Sequence, residues 1–284
     1  MITAITTRLF GKSGPAVTQV GLGGEGVLRT FGLGAKAQAV IEEAMRQGVT
    51  YFDSAQAYAG SEGYYGHFWK EHKDLRRGIF QTSKSAARDK AGAKADLAQS
   101  LRTMNLDRLD LWQIHDLRAQ EDLEQIESPG GALEAFVEAR DTGLVRFLGV
   151  TGHHDPRILL RAVKSWPVDA VLMPVNPPEA VLGGFLDGVL AEARDRGLAI
   201  IGMKVLGASH FISQQSGVTP ELLIRFALSR EISTAIVGCA SPKEVQTLAG
   251  IGQDFEPLTI DEENRLLELF RPHARRLAFY RGVL

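Results

Sequence analysis

The sequence predicts an α/β chain closed into a (β/α)8 TIM barrel, and three observations carry that expectation. Short apolar runs recur near residues 20, 50, 80, 112, 148, 172, 200 and 235, and a longer amphipathic stretch comes after nearly every one. The runs are continuously apolar instead of alternating, as strands of a parallel sheet covered on both faces are. Eight such units favour a closed barrel over an open doubly wound sheet. No linker or low-complexity tract divides the 284 residues, so one domain over 1–284 is expected.

Taken in order, TTRLFGKSGPAVTQVGLGG suits an N-terminal hairpin turned at residues 11–15, leading into a first barrel strand at TQVGLGG. The glycines of GLGGEG, residues 21–26, match the dinucleotide-binding fingerprint poorly, because the next segment, VLRTFGLGAKAQ, reads as a loop. The helical stretch AQAVIEEAMRQG leads to the strand TYFDSA, whose continuation YAGSEGYYG reads as a polar, glycine-rich loop. The strands RGIFQTSK, LDLWQIHD, VRFLGVTG, DAVLMPVN, LAIIGMKV and ISTAIVGCA then alternate with AKADLAQSLRTMNL, GALEAFVEARDTGL, PRILLRAVKSW, GFLDGVLAEARDRG and TPELLIRFALSR. Several of these helices close on Gly or on Asn-Leu. The segments LRAQEDLEQIESPG and GASHFISQQSGVTP read as short loops, which leaves the mouth without a long lid and suggests fast exchange of whatever small molecule binds there. The tail IDEENRLLELFRPHARRLAFY reads as one more amphipathic helix for the outside or bottom of the barrel.

Composition narrows the partners. With 32 basic against 34 acidic residues and no basic stripe, neither nucleic acid nor an anionic membrane is the expected partner; a small molecule is. The single cysteine, Cys239, cannot form an internal disulfide or supply a cysteine-ligated zinc or iron–sulfur site, which fits a reducing compartment. No secretory leader pattern and no membrane-length apolar run occurs, so a cytoplasmic protein is expected. A hydrophobic content of 44% is ordinary for one packed domain and leaves monomer and small homo-oligomer both open.

In such a barrel chemistry sits where strands end, and here the second, third and fourth strands end on Asp53, Lys84 and His115, with Tyr58 in the loop after the first of them. Singly, each has a plain structural explanation: a cap, a surface phenol, a solvated strand end, a turn histidine. Jointly they interlock. An ammonium beside a phenol lowers its pKa from about 10 and makes it a usable acid. Lys84 is therefore the expected modulator of Tyr58, Asp53 its counter-charge, and His115 a hydrogen-bond donor to a substrate oxygen. That set describes a proton donor aimed at a carbonyl oxygen, as reduction of an aldehyde or ketone requires.

The chain resembles the aldo-keto reductase family over nearly its whole length, through FDSAQAY, the lysine of FQTSK and the histidine of LWQIHD. The resemblance implies an NAD(P)H-dependent reduction of carbonyls, or the reverse oxidation, with Asp53, Tyr58, Lys84 and His115 as the catalytic set and Tyr58 as general acid. It also implies a nicotinamide nucleotide bound in extended form without a Rossmann fold. The implied contacts are Gly24, Thr151, His153, Met173, Met203, Lys204, Leu206, Gly207, Gly238, Ser241, Lys243 and Glu244. Thr151 and Gly152 stand where the family often has a Ser-Asn pair for the nicotinamide carboxamide, Met173 in place of a glutamine, and Met203 in place of a ring-stacking tyrosine. His153 either takes over the carboxamide contact or pairs with Asp155. Glu244 stands where NADPH users often carry an arginine, and Lys243 beside it pulls the other way. NADP(H) is favoured over NAD(H) on the family pattern.

The pattern GVTGHHDP with GMKVLG is similar to a bacterial subgroup that often has an iron–sulfur tail, which a single cysteine cannot supply. Neither a metal nor a cluster is expected. Substrate contacts are expected from loop residues Glu25, Val27, Phe31, Tyr64, Trp112 and His154, Glu25 and Trp112 foremost. Two other readings keep the barrel: a cofactor-binding sensor or regulatory subunit with little turnover, and a metal-dependent enzyme using His115, His153 and Asp53.

Overall fold

The computed structural model describes residues 4–283. Two short strands, β1 (Thr7–Leu9) and β2 (Ala16–Thr18), pair antiparallel as the N-terminal hairpin. Eight parallel strands then close in the order of the chain: β3 (Val20–Gly26), β4 (Tyr51–Phe52), β5 (Phe80–Ser85), β6 (Leu109–Leu117), β7 (Val145–Gly152), β8 (Ala170–Pro174), β9 (Ala199–Met203) and β10 (Thr234–Cys239), which returns to β3. The helices between them are α1 (Gly34–Arg46), α2 (Ser61–Glu71), α3 (Lys90–Thr103), α4 (Gln120–Glu127), α5 (Ala132–Asp141), α6 (Pro156–Ser165), α7 (Pro177–Leu182), α8 (Leu190–Asp195) and α9 (Pro220–Leu228). After β10 come α10 (Pro242–Gln253), α11 (Ile260–Phe270) and α12 (Ala274–Leu277). The barrel expected from the apolar runs is the observed fold. No helix among the described residues is long and apolar enough to cross a membrane.

Strand side chains alternate between the axis and the helical layer, and the apolar core divides accordingly. Tyr51, Phe80, Leu111, Leu172, Ile201 and Ile236 fill the axis. Leu22, Phe52, Trp112, Ile114 and Met173 belong to the larger cluster between strands and helices. The hairpin has a purpose that periodicity does not reveal: Phe10, at its turn, is 2% exposed and lies 4.5 Å from the Phe80 ring and 5.4 Å from Phe147. Those rings stand early in their strands, so Phe10 plugs the bottom of the barrel.

The structure departs from the expected elements in three places. The polar loop after Asp53 is only a turn, because α2 starts at Ser61 once Gly60 adopts φ 73°; Tyr65, Phe68 and Trp69 supply its buried face at helical spacing. The loop after β6 contains α4, whose Leu123 and Ile126 are buried. The tail breaks after Phe270 into a 3-10 turn, Arg271–His273, because Pro272 has no N–H to continue the ladder. Beyond α12 the chain then runs to the mouth of the barrel, where the Gly282 N–H donates to the His154 carbonyl.

Candidate active site

Asp53 is the first residue after β4 and Lys84 the fifth of β5; both face the axis and are essentially unexposed. The Lys84 ammonium donates to Asp53 Oδ1 at 2.8 Å, Asp53 Oδ2 at 2.7 Å and the Ser54 carbonyl at 2.7 Å, which uses its three protons. Thr82, one step down the same face, donates to Asp53 Oδ1 at 3.0 Å. Burial lowers the lysine below its ordinary pKa while the Asp53 carboxylate holds it up.

Tyr58 sits in the turn before α2, and Gly24 makes room for it: a Cβ there would come within 2.7 Å of the phenol ring. The Lys84 ammonium lies 4.6 Å from the ring centroid. A second cation, Arg29, lies 4.8 Å from the same ring and is held by Glu25 at 2.7 Å. Burial raises the Tyr58 hydroxyl well above 10, reinforced by the Asp53 and Glu25 carboxylates, and Arg29 pulls it down. The expected modulator, Lys84, thus lies beside Tyr58 with its donors already satisfied, and a second cation, Arg29, which no sequence pattern singles out, also acts on the phenol.

His115 lies edge-on to Tyr58, with ring centroids 5.5 Å apart. Burial, with Lys84 nearby, lowers it to about 3, so its imidazole is neutral at physiological pH and can donate one hydrogen bond. The next residue, Asp116, has φ 60°, where the pairing of β6 with β7 slips between Ile114 and Leu117. A non-glycine residue in that region is strained and needs support. Arg88 supplies it by donating to the His115 and Asp116 carbonyls, both at 2.8 Å, and the Asp116 N–H donates to Thr151 Oγ1 at 2.8 Å. Arg118 binds Asp116 Oδ2 through Nε and Nη2, which leaves Oδ1 facing His153 Nε2 at 3.3 Å. His153 Nδ1 donates to the Tyr280 carbonyl at 3.1 Å. Its expected alternative partner, Asp155, instead caps α6 and binds Arg157.

Of the other expected residues, Met203, Lys204 and Leu206 are half-buried at and beyond the end of β9, Gly207 is buried behind them, and Gly238 and Ser241 close β10 and open α10. Lys243 is exposed, and Glu244 Oε2 accepts from the Ala240 N–H at 2.8 Å. Two expectations fail on strand parity. Met173 is fully buried on the helix side of β8, where Leu172 is the inward neighbour, so Met173 cannot meet a ligand in the mouth. Trp112 points outward from β6 and stacks on Phe136 of α5 with centroids 3.6 Å apart, so it is core, not substrate surface. Val27 is likewise buried, and Tyr64 lies on α2, its hydroxyl accepting from the Leu33 N–H at 3.0 Å. Among the described residues no three His, Cys, Asp or Glu side chains converge to hold a metal.

Asp116, Arg29 and Tyr280 join the site without any sequence expectation. Asp116 stands directly after His115, but only the slip in register turns its carboxylate inward; Tyr280 comes from the far end of the chain. Gln113 could have been found by parity, two residues before His115. It is fully buried on the axis with neither amide atom hydrogen-bonded.

The Aldo/keto reductase family model matches residues 29–216. The chain is 25% identical to L-galactose dehydrogenase of Arabidopsis thaliana over 92% of each protein. It is 26% identical to an aldo-keto reductase of Strobilurus tenacellus, over 72% of this chain and 62% of that protein. In fold it is similar to the holo form of an aldo-keto reductase from Bacillus halodurans, with a TM-score of 0.75 at 20% identity, covering 99% of this chain and 98% of that one.

Proposed function

We propose a catalytic assignment for a chain that belongs to the aldo/keto reductase family and is accordingly an NAD(P)-dependent oxidoreductase of small carbonyl compounds. In this reading Tyr58 is the general acid in reduction and the general base in the reverse direction, within one barrel domain. The convergence of Tyr58, the Lys84–Asp53 pair and neutral His115 at one mouth carries it.

The residues present fit a nicotinamide nucleotide at two places. The start of α10, capped by Ser241 with Lys243 beside it, suits phosphate. Asp116 Oδ1, buried with no hydrogen-bond partner among the described residues, suits an amide donor. Glu244, exposed like Lys243, has Oε2 engaged by the Ala240 N–H, and Lys243 beside it is the cation that favours NADP(H) over NAD(H) in this reading.

A bound nicotinamide nucleotide supplies or accepts the hydride; the chain handles the proton. Tyr58, held protonated at neutral pH by its raised pKa, donates to the substrate oxygen as that oxygen becomes an alkoxide, which is far more basic than a phenolate. His115 donates a hydrogen bond that orients the same oxygen. Lys84, locked on Asp53, places positive charge beside the phenol ring and steadies the phenolate that remains. Tyr58→Phe should lower kcat for aldehyde reduction by about 10²- to 10⁴-fold with nucleotide affinity unchanged. Full turnover in that variant would overturn the assignment. Titrating NADPH and NADH side by side tests the cofactor preference.

A further inference from the structure

The C-terminal segment is built into the mouth far more firmly than a tail needs to be. Tyr280 is 7% exposed; its hydroxyl donates to Glu179 Oε1 at 2.8 Å and accepts from Asn176 Nδ2 at 2.8 Å. Arg281 pairs with the same buried Glu179 carboxylate and donates to the Gly183 carbonyl at 2.6 Å. The Gly282 N–H donates to His154, and the Lys204 ammonium lies 5.8 Å from the Tyr280 ring centroid. Three residues, Tyr280, Arg281 and Gly282, thus tie together the segments just beyond β7, β8 and β9. Truncating Glu179 or Arg281 would leave a buried partner charge unpaired.

What this strap touches is His153. Burial and the nearby Lys204 charge lower the His153 pKa and favour the neutral ring; a carbonyl only accepts, so the Tyr280 carbonyl then requires the proton on Nδ1 and leaves Nε2 as a lone pair. Nε2 faces Asp116 Oδ1, itself buried and without a hydrogen-bond partner among the described residues. With the ring neutral, these are two acceptors 3.3 Å apart that lack a donor. The strained backbone at Asp116, with Arg88 on its carbonyl and Thr151 on its N–H, holds the carboxylate there. The Thr151 hydroxyl, accepting from that N–H, keeps its own proton to donate. Two acceptors beside a hydroxyl donor are the complement of a primary amide.

We propose that residues 280–282 are a positioning strap, which fixes the tautomer of His153 through the Tyr280 carbonyl so that His153 Nε2 and Asp116 Oδ1 together receive the NH2 of the nicotinamide carboxamide. The proposal rests on the nucleotide reading above and adds to it the residues that grip the amide and the segment that sets them. Asp116 and His153 are binding residues in this scheme; Tyr280, Glu179 and Arg281 act through them.

The test compares the affinity for NADP+ with that for its 3-acetylpyridine analogue, in which a methyl group replaces the amide NH2. The wild-type protein should prefer NADP+ by about tenfold, the effect of a hydrogen bond to a charged acceptor. In Asp116→Asn the new amide donates to His153 Nε2 and closes the receptor, and in His153→Phe one acceptor is gone. Both should lose the preference while binding the analogue about as tightly as the wild type. Tyr280→Phe keeps the carbonyl but cuts the links to Asn176 and Glu179. It should narrow the preference, and the nitrogen NMR shifts of His153 should report a mixture of tautomers in place of the Nδ1–H form. A wild-type protein without preference overturns the proposal and leaves the nucleotide reading standing, whereas failure to bind either nucleotide overturns both. Equal losses for the two nucleotides in the Asp116 and His153 variants would mark a merely structural role and overturn it, as would a Tyr280→Phe protein with preference and tautomer unchanged.

Discussion

Replacing Lys84 by methionine separates stability from chemistry at the centre of the site. The ammonium is wholly buried, and its removal leaves the Asp53 carboxylate, 1% exposed, with the Thr82 hydroxyl as its remaining side-chain partner. Breaking a buried pair by deleting one member costs about 3–5 kcal/mol, since the other charge stays desolvated and uncompensated. At about 2–4 °C per kcal/mol for a chain of this order, Lys84→Met should melt on the order of 10 °C below the wild type. The double variant Lys84→Met/Asp53→Leu removes both charges and should recover most of that loss, because apolar groups of similar volume substitute for a buried pair at little net cost. Guanidinium unfolding, followed by fluorescence of the buried Trp69, Trp112 and Trp166, measures both. Neither variant should reduce aldehydes. A single variant within about 1 kcal/mol of wild type, well under the cost of an unpaired buried charge, would refute the reasoning; so would a double variant no more stable than the single.

The geometry leads to three further outcomes. His115 is held near 3 when folded and takes its ordinary 6.5 when unfolded, so the unfolded chain gains a proton first as pH falls. Stability should therefore decline from pH 6.5 toward 3, and in His115→Gln that decline should be shallower when stability is measured against pH. Arg29→Met removes a cation that pulls Tyr58 down, so, with Tyr58 as the proposed general base of alcohol oxidation, its phenolate forms at higher pH. The rise of the oxidation rate with pH should move upward, and Arg29→Lys should restore most of it; an unmoved profile would refute the role. Phe10→Ala opens the bottom plug and should cost about 3–5 kcal/mol by equilibrium unfolding, with the nucleotide affinity little changed.

The barrel was legible because eight buried strands alternating with amphipathic helices leave few other ways to cover both faces of a parallel sheet. Asp53, Lys84 and His115 were legible for the same reason: each ends an apolar run, and strand ends meet at one rim. Period-two alternation, carried one step further, would also have separated inward Gln113 and Leu172 from outward Trp112 and Met173. The tail could not be placed that way. Its amphipathic pattern says that one face is buried, but not that Pro272 would break the helix and send Tyr280 to the mouth.

By itself, then, the amino-acid sequence determined the architecture and the chemical kinds gathered at the rim, because strand period and strand termination are local properties. Only the tertiary structure decided which atoms meet. The three lysine protons go to Asp53 and Ser54, Arg29 comes to lie against the phenol, and a register slip turns Asp116 toward a histidine held from the far end of the chain. Those contacts join residues up to 127 positions apart, and a separation of that length has no signature in any local pattern.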